Sequence, residues 1–141
     1  MSGGGGSVLQ AAVVAALAAE PALAGVAVFD APPSRAAPPY AVVDEPVLTD
    51  WGAKGWTGRE GTLAVLVQDA GGGGGERPVR LRALAGAVEA ALPGLDAALG
   101  PGPNGGWRLA TIRLSRSRIT RAAGDRWVAS VEWRVRIYRE D

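Results

Sequence analysis

The 141-residue sequence contains no cysteine and no histidine. Without cysteine, it can form neither disulfide bonds nor a thiolate metal site. Without histidine, it lacks the general base of Ser-His-Asp and Cys-His nucleophile systems, the imidazole ligands of zinc sites and a pH switch near neutrality. The side chains that remain for chemistry are carboxylates, hydroxyls and arginines.

Long hydrophobic runs are also missing. The longest apolar stretch near the start, residues 8 to 19, is shorter than the roughly 20 residues needed to span a bilayer, and no basic leader precedes it. We therefore expect a protein that has no membrane partner and that stays in the cytoplasm where it is made.

Glycine and proline are abundant, with 21 and 10 residues, and alanine supplies much of the 48% apolar content. A chain of this length fits one domain, which we place at residues 8–141 after a flexible segment at 1–7, "MSGGGGS". Because a core rich in alanine is thin, association with copies of itself would add to the stability of this domain.

Charge is divided unevenly along the chain, although the net charge is only +1. Residues 1–75 hold three basic and seven acidic side chains, whereas residues 106–141 hold nine arginines and four acids. Such a division serves either nucleic-acid binding or complementary surfaces on neighbouring subunits. A net charge near zero favours the second.

Hydrophobic periodicity predicts the order helix, three strands, helix, two strands. Helical spacing predicts helices at 8–19 and 78–92, and apolar or alternating runs predict strands at 26–29, 40–43, 62–69, 107–114 with its continuation, and 127–138. Gly124 and Asp125 predict a turn that makes the last two strands an antiparallel hairpin. The expected fold is α+β, a mixed, mostly antiparallel five-stranded sheet with both helices on one face.

A proline-rich segment separates the first two strands. Residues 29–46 read "FDAPPSRAAPPYAVVDEP", in which four prolines fix φ and remove N–H donors. The segment is therefore extended and cannot pair as a central strand. We expect a stiff spacer or sheet edge, with a recognition arm for a partner as the alternative.

Two patterns with possible chemistry are weak. The run "AGGGGGE" at 70–76 lacks the lysine and hydroxyl residue of a phosphate-binding loop. Asp44, Glu45 and Asp50 are close enough in sequence for a metal site or an acid–base pair, but acids beside a proline and a turn are commonly ordinary loop residues. We expect no catalytic residue, cofactor or bound metal, and no enzymatic activity.

Two groups of residues are candidates for contact with a partner. Residues 47–61 form a predicted glycine-rich loop that carries Asp50, Trp51, Lys54, Trp56 and Arg59. Tryptophan is enriched at binding hot spots, so this loop is expected to reach a neighbour; the alternative is a loop folded back on its own domain.

The second group lies near the carboxyl terminus, where arginines alternate with serines at Arg113, Arg116, Arg118 and Arg121. These side chains suit phosphate or the acids of an adjacent subunit, with a merely solvated strand face as the alternative. Trp107, Trp127 and Trp133 lie on strand faces and are expected in the core.

The order and spacing of these segments resemble the tail-completion, or tail-terminator, proteins of long-tailed phages and phage-derived gene transfer agents. The resemblance lies in "LQAAVVAALAAEPALAG", "VAVFDAPPSRAAPPYAVVDE", "GTLAVLVQDAGG", "LRALAGAVEAAL" and "RWVASVEWRVRIY". It covers the chain from Val8 to Tyr138. The aspartate that closes the first strand, Asp30, and the strand that begins at "PPY" are its most characteristic parts, whereas the glycine run after "LVQDA" departs from it.

This resemblance implies a homo-oligomeric ring, usually a hexamer, that caps the head-proximal end of a tail tube. Its implied partners are the tail tube protein and the head-tail stopper of the neck, with DNA passing through the lumen without sequence-specific binding. The protein would assemble in the bacterial cytoplasm and then belong to the particle. A head-side neck or connector subunit is the main alternative; a basic nucleic-acid-binding module and a small enzyme are the others.

Overall fold

The computed structural model describes residues 4–70, 78–99 and 104–140. The elements are α1 (Gly5–Ala18), β1 (Ala27–Phe29), β2 (Tyr40–Val43), β3 (Val47–Asp50), β4 (Trp56–Ala70), α2 (Val79–Ala91), β5 (Arg108–Ala122) and β6 (Arg126–Glu140), with short 3-10 turns at Pro21–Leu23 and Leu92–Gly94. The run of five glycines at 71–75 and the first three residues of the expected tail lie outside the described residues. Within the described segments, neither α-helix has the length and apolar character needed to cross a membrane.

The strands form one mixed sheet in the order β1-β2-β4-β6-β5, in which β1 and β2 run parallel and the other pairs are antiparallel. A sixth strand, β3, follows β2 along the same edge of β4. This strand was not predicted, since it lies in the supposed loop. A Cβ at Gly61 would be only 1.9 Å from the Val47 carbonyl oxygen, so the missing side chain permits β3 to approach β4.

Alternation along β4 and β6 gives the sheet two different faces. The face that we call the helix face carries the buried side chains and packs against both helices around one core, which includes Leu63, Val65, Val131, Trp133 and Val135. The opposite face, which we call the outer face, carries the intervening and mostly polar side chains. The predicted alternation at 127–138, the antiparallel hairpin and the α+β class are confirmed.

Helix α1 begins at Gly5, three residues before the predicted start at residue 8, so residues 5–7 of the expected tail form its first turn. A Cβ at Gly5 would lie 2.8 Å from Ile137 Cδ1 and 3.1 Å from the Trp107 ring. Glycine therefore allows the helix to start in close contact with the sheet. The predicted apolar stripe is fully buried at Leu9, Val13 and Leu17.

The proline-rich segment joins two neighbouring parallel strands, and β1 forms one edge of the sheet. Buried Gln10 of α1 closes this corner, because its Nε2 donates to the carbonyl oxygens of Asp30 at 3.0 Å and Val43 at 2.9 Å. These carbonyls follow β1 and end β2, where the sheet ladder no longer satisfies them. The placement agrees with the expected stiff spacer beside an edge.

Helix α2 carries its predicted stripe at Leu81, Leu84 and Val88 into the core and is tied to β4 by an ion pair. Arg80 Nε donates to Asp69 Oδ2 at 2.8 Å, and Arg80 Nη2 donates to Asp69 Oδ1. The hydrogen bonds from Arg80 outweigh burial and hold the pKa of the Asp69 carboxyl below its usual range. The pair therefore links the start of α2 to the end of β4.

Candidate subunit interface

The residues 50–59 form a β-hairpin rather than the predicted irregular loop, and we call them the tryptophan hairpin. The Trp51 amide donates to the Gly58 carbonyl at 2.9 Å, and Ala53 and Trp56 exchange backbone hydrogen bonds. At the base, Asp50 lies opposite Arg59, whose Nη1 donates to Asp50 Oδ1 at 3.1 Å. Glycine-rich composition concealed this hairpin in the sequence.

The two tryptophan rings pack against each other over Gly58 on the outer face. Their centroids are 4.9 Å apart with an interplanar angle of 74°, an edge-to-face arrangement. A Cβ at Gly58 would lie 2.7 Å from the Trp56 ring and 2.8 Å from the Trp51 ring. The rings thus cover their own sheet and are partly buried, while Lys54 and Gly55 at the tip are exposed.

Arg136 of β6 fixes the hairpin against the sheet. Its guanidinium carbon is 4.9 Å from the centroid of Trp51, within the range of a cation–π contact. Its Nε also donates to Glu60 Oε2 at 2.9 Å, and Glu60 lies directly opposite Arg136 in the pairing of β4 with β6. The charges of Arg136 and Glu60 therefore neutralise each other within the subunit.

Farther along the outer face, the β5–β6 hairpin carries a set of arginines that we call the arginine row: Arg113, Arg116 and Arg118 of β5 and Arg134 of β6. Arg116 lies opposite Glu132 and pairs with it, with Nε 3.1 Å from Oε2. Arg113, Arg118 and Arg134 are exposed and form no ion pair among the described residues. The fourth arginine of the sequence pattern, Arg121, lies instead near Trp127 and Asp125.

The structure brings Trp51 and Trp56 to the same outer face as the arginine row, whereas Asp50 and Arg59 share the side of the sheet that carries Ile137. A groove of about 520 Å³ beside the tryptophan hairpin is lined by Trp51, Trp56, Ala110 and Tyr138. A hollow of about 280 Å³ follows, and its lining includes Glu60, Thr111, Arg113, Arg134 and Arg136. Residues from the tryptophan hairpin, β4, β5 and β6 therefore form one surface, with aromatic side chains at one end and charged side chains at the other.

Glu60 lies within the loop that was expected at 47–61, but sequence reasoning missed three residues of this surface: Glu132, Arg134 and Arg136. The alternation along β6 had placed all three on its polar side, but the strand register that sets them against β4 and β5 had no local sign in the sequence. The predicted core tryptophans Trp107 and Trp133 are buried, and Trp127 packs against the core while partly exposed. Among the described residues, no three potential ligands are grouped to hold a metal ion.

These features define a small α+β protein with a helix-covered sheet face and a charged opposite face. The sequence matches the family model described as "Tail completion protein gp17" over residues 11–138, and the chain belongs to this family. It is also similar to a chain in the solved structure of the virion of a native gene transfer agent (GTA) particle, with 29% identity and a TM-score of 0.78. That similarity covers 97% of this chain and 99% of the other.

The search of curated proteins found no match. The family match confirms the resemblance drawn from the sequence segments, including its link to bacteriophages and gene transfer agents. The chain is accordingly a structural protein of phage-type tails.

Proposed function

We propose that this chain is a tail terminator, a ring of identical subunits that ends the tail tube on its head-proximal side and joins it to the neck. The observation that carries the proposal is the correspondence of fold over nearly its whole length to a chain of a GTA virion, in addition to membership of the tail-completion family. The ring number of six comes from the resemblance. In this role, the protein is not an enzyme.

A terminator has a physical requirement that the two-sided subunit meets. A tube that grows by adding identical rings stops only when the last ring presents a surface unlike the one that it binds. The helix side of this subunit and its arginine-bearing outer face differ strongly in chemistry. DNA would cross the ring lumen without sequence-specific contacts. Assembly would take place in the bacterial cytoplasm, after which the ring remains in the particle.

We assign the contact with other subunits to the outer face. The groove beside Trp51 and Trp56, with Lys54 at its rim, offers an apolar surface to a neighbouring side chain. Asp50 and Arg59 hold the base of the hairpin. Exposed ion pairs contribute only about 0–1 kcal/mol each, so aromatic burial would supply affinity, and the arginine row would set the register.

Deletion of the gene, followed by electron microscopy of the particles, tests this function. For a terminator, we expect tail tubes of irregular and excessive length beside heads without tails, and restoration by the wild-type gene. Tubes of normal length with heads that lose their DNA would instead assign the chain to the head-side neck. Normal particles in the deletion strain would refute both roles.

A further inference from the structure

One pair in the arginine row lacks the acid that its neighbours have. Arg113 and Arg134 lie directly opposite each other on β5 and β6, an arrangement of like charges that destabilises a sheet. On one side of this pair, Arg136 binds Glu60, and on the other Arg116 binds Glu132. No described acid is in line with this pair across the sheet; Glu60, which also lines the hollow of about 280 Å³ beside the pair, is bound to Arg136.

Two free carboxylates are present at the opposite edge of the sheet. Asp44 and Glu45, which we call the acid corner, occupy the break between β2 and β3 and are exposed. Among the described residues, neither side chain has a hydrogen bond or ion pair. The next residues are Pro46 and the exposed Val47, so the backbone here is held by proline and does not extend β2.

The strand register puts the acid corner and the arginine row at the same height. The Asp44 amide donates to the Ala64 carbonyl, and Ala64 is opposite Glu132, which is opposite Arg116. In the neighbouring set of residues paired across the sheet, Val47 is opposite Thr62, Thr62 is opposite Arg134, and Arg134 is opposite Arg113. Asp44 and Glu45 therefore lie level with the interval from Arg113 to Arg116, on the other edge of the same subunit.

From this geometry, we infer that Asp44 and Glu45 of one copy bind Arg113 and Arg134 of the next copy. The inference rests on the proposed ring, in which each subunit presents opposite edges to its two neighbours. A copy placed beside the first in the same orientation meets the unpaired arginines with the unpaired acids. The net charge of +1 favours self-complementarity over binding of a polyanion.

Side chains, rather than added backbone pairing, carry this contact. Strand β5 forms the free edge, but register shifts between Leu109 and Thr111 and between Leu114 and Arg116 interrupt it. Bulges of this kind twist an edge and obstruct the addition of another strand. The interface is thus set by charge at a defined height, which fixes the axial register of neighbouring subunits.

Cysteine cross-linking tests the contact directly, since the natural chain has no cysteine. We would combine Glu45→Cys with Arg113→Cys; within one subunit these positions are separated by three strand spacings, or about 14 Å, too far for a disulfide. Oxidation of assembled particles should give a ladder of covalent oligomers on a non-reducing gel. Glu45→Cys with Arg82→Cys on the exposed side of α2 is the matched control and should remain monomeric.

Charge exchange gives an independent readout on the purified ring. Asp44→Lys with Glu45→Lys, or Arg113→Glu with Arg134→Glu, should weaken self-association about tenfold, and the chain carrying all four changes should recover it. Arg82→Glu should have no effect. Rings and cross-link ladders unchanged by these substitutions would overturn the inference. Loss of DNA retention from intact rings after Arg113→Glu with Arg134→Glu would also overturn it, in favour of a DNA surface.

The two proposals fail in different ways. If the deletion strain terminates its tails normally, the terminator role is lost whatever the cross-links show. If tails require the chain but the Glu45–Arg113 pair never cross-links inside the particle, only the assigned contact is wrong.

Discussion

The two ends of the outer face differ in how far the subunit satisfies its own side chains. Beside the tryptophan hairpin, Glu60 pairs with Arg136, which also covers Trp51, while Asp50 pairs with Arg59 on the other side of the sheet. In the arginine row, three of four guanidinium groups have no partner among the described residues, and two of them face each other. Glu60, Arg136 and Trp51 therefore satisfy one another at the first end, whereas most of the arginine row is unpaired.

This difference indicates that the two ends contribute differently to folding and to assembly. Aromatic packing and paired charges stabilise the fold of the isolated subunit, so changes there should be felt in its unfolding. Unpaired like charges cost stability and suggest a binding surface for something outside the subunit. Substitutions should therefore separate the two ends: changes at the hairpin should lower folding stability as well as assembly, whereas changes in the arginine row should affect assembly alone.

The largest effect is expected at Gly58, where any side chain collides with both tryptophan rings. Gly58→Val should lower the free energy of unfolding by about 2–3 kcal/mol, because the rings must leave the sheet. Urea unfolding followed by tryptophan fluorescence would measure it. The control is Gly86→Ala on α2, where a Cβ has open space and should stabilise the helix. Equal stability of Gly58→Val and the wild type would contradict the packing described.

Removing one tryptophan side chain should have a smaller effect on the free energy of unfolding. Trp51→Ala loses the edge-to-face contact with Trp56 and the cation–π contact with Arg136, both on a partly exposed surface, and should lower the free energy of unfolding by about 1–2 kcal/mol. A double-mutant cycle with Arg136→Ala should show coupling of about 0.5–1 kcal/mol. Additive effects would mean that the two side chains do not interact.

A paired charge on the helix face provides a pH test. Asp69 has a lowered pKa in the folded state, so its ionised form stabilises the fold above its unfolded pKa of about 3.9, and this stabilisation is lost as pH falls through the lower folded value. Asp69→Asn should melt a few degrees below the wild type at pH 7. Thermal melts from pH 7 to pH 2 should show that the difference narrows below about pH 4. A constant difference across this range would exclude the ion pair as its cause.

The smallest effect on folding is expected in the arginine row. Arg113→Ala should leave the free energy of unfolding within about 0.5 kcal/mol of the wild type, or raise it slightly, since it removes a repulsion with Arg134. Arg116→Ala, which breaks the pair with Glu132, is the comparison and should be slightly destabilising. A large loss of stability in Arg113→Ala would show that this residue stabilises the fold, which would contradict its assignment to assembly alone.

The sequence predicted those parts of the molecule that depend on local pattern. Alternation at Trp127–Ile137 identified β6 and its buried side, and helical spacing at Leu9, Val13 and Leu17 identified α1. Strand β3 was missed because its partner positions include Gly61, and glycine ordinarily marks a loop. The early start of α1 was missed for the same reason, since Gly5 is needed for its contact with Ile137.

The candidate site could not be predicted in the same way, because it depends on how strands that are distant in sequence are aligned in the sheet. Trp51, Trp56, Arg113 and Arg116 were chosen as residue types suited to an interface, but nothing local showed that they share one face. Glu60 and Arg136 are 76 positions apart, and their pairing follows only when β4 and β6 are aligned. The sequence therefore showed which residue types were available for an interface. Only the fold showed which of their charges are neutralised by a partner within the subunit.

The central claim is that copies of this chain form the ring that ends the tail, and the structure of the assembled particle by electron cryomicroscopy tests it most directly. We expect one ring of the chain between tail tube and neck, with Asp44 and Glu45 of each copy against Arg113 and Arg134 of the next. Density for the chain at the distal tip of the tail, or as a single copy per particle, would contradict the account.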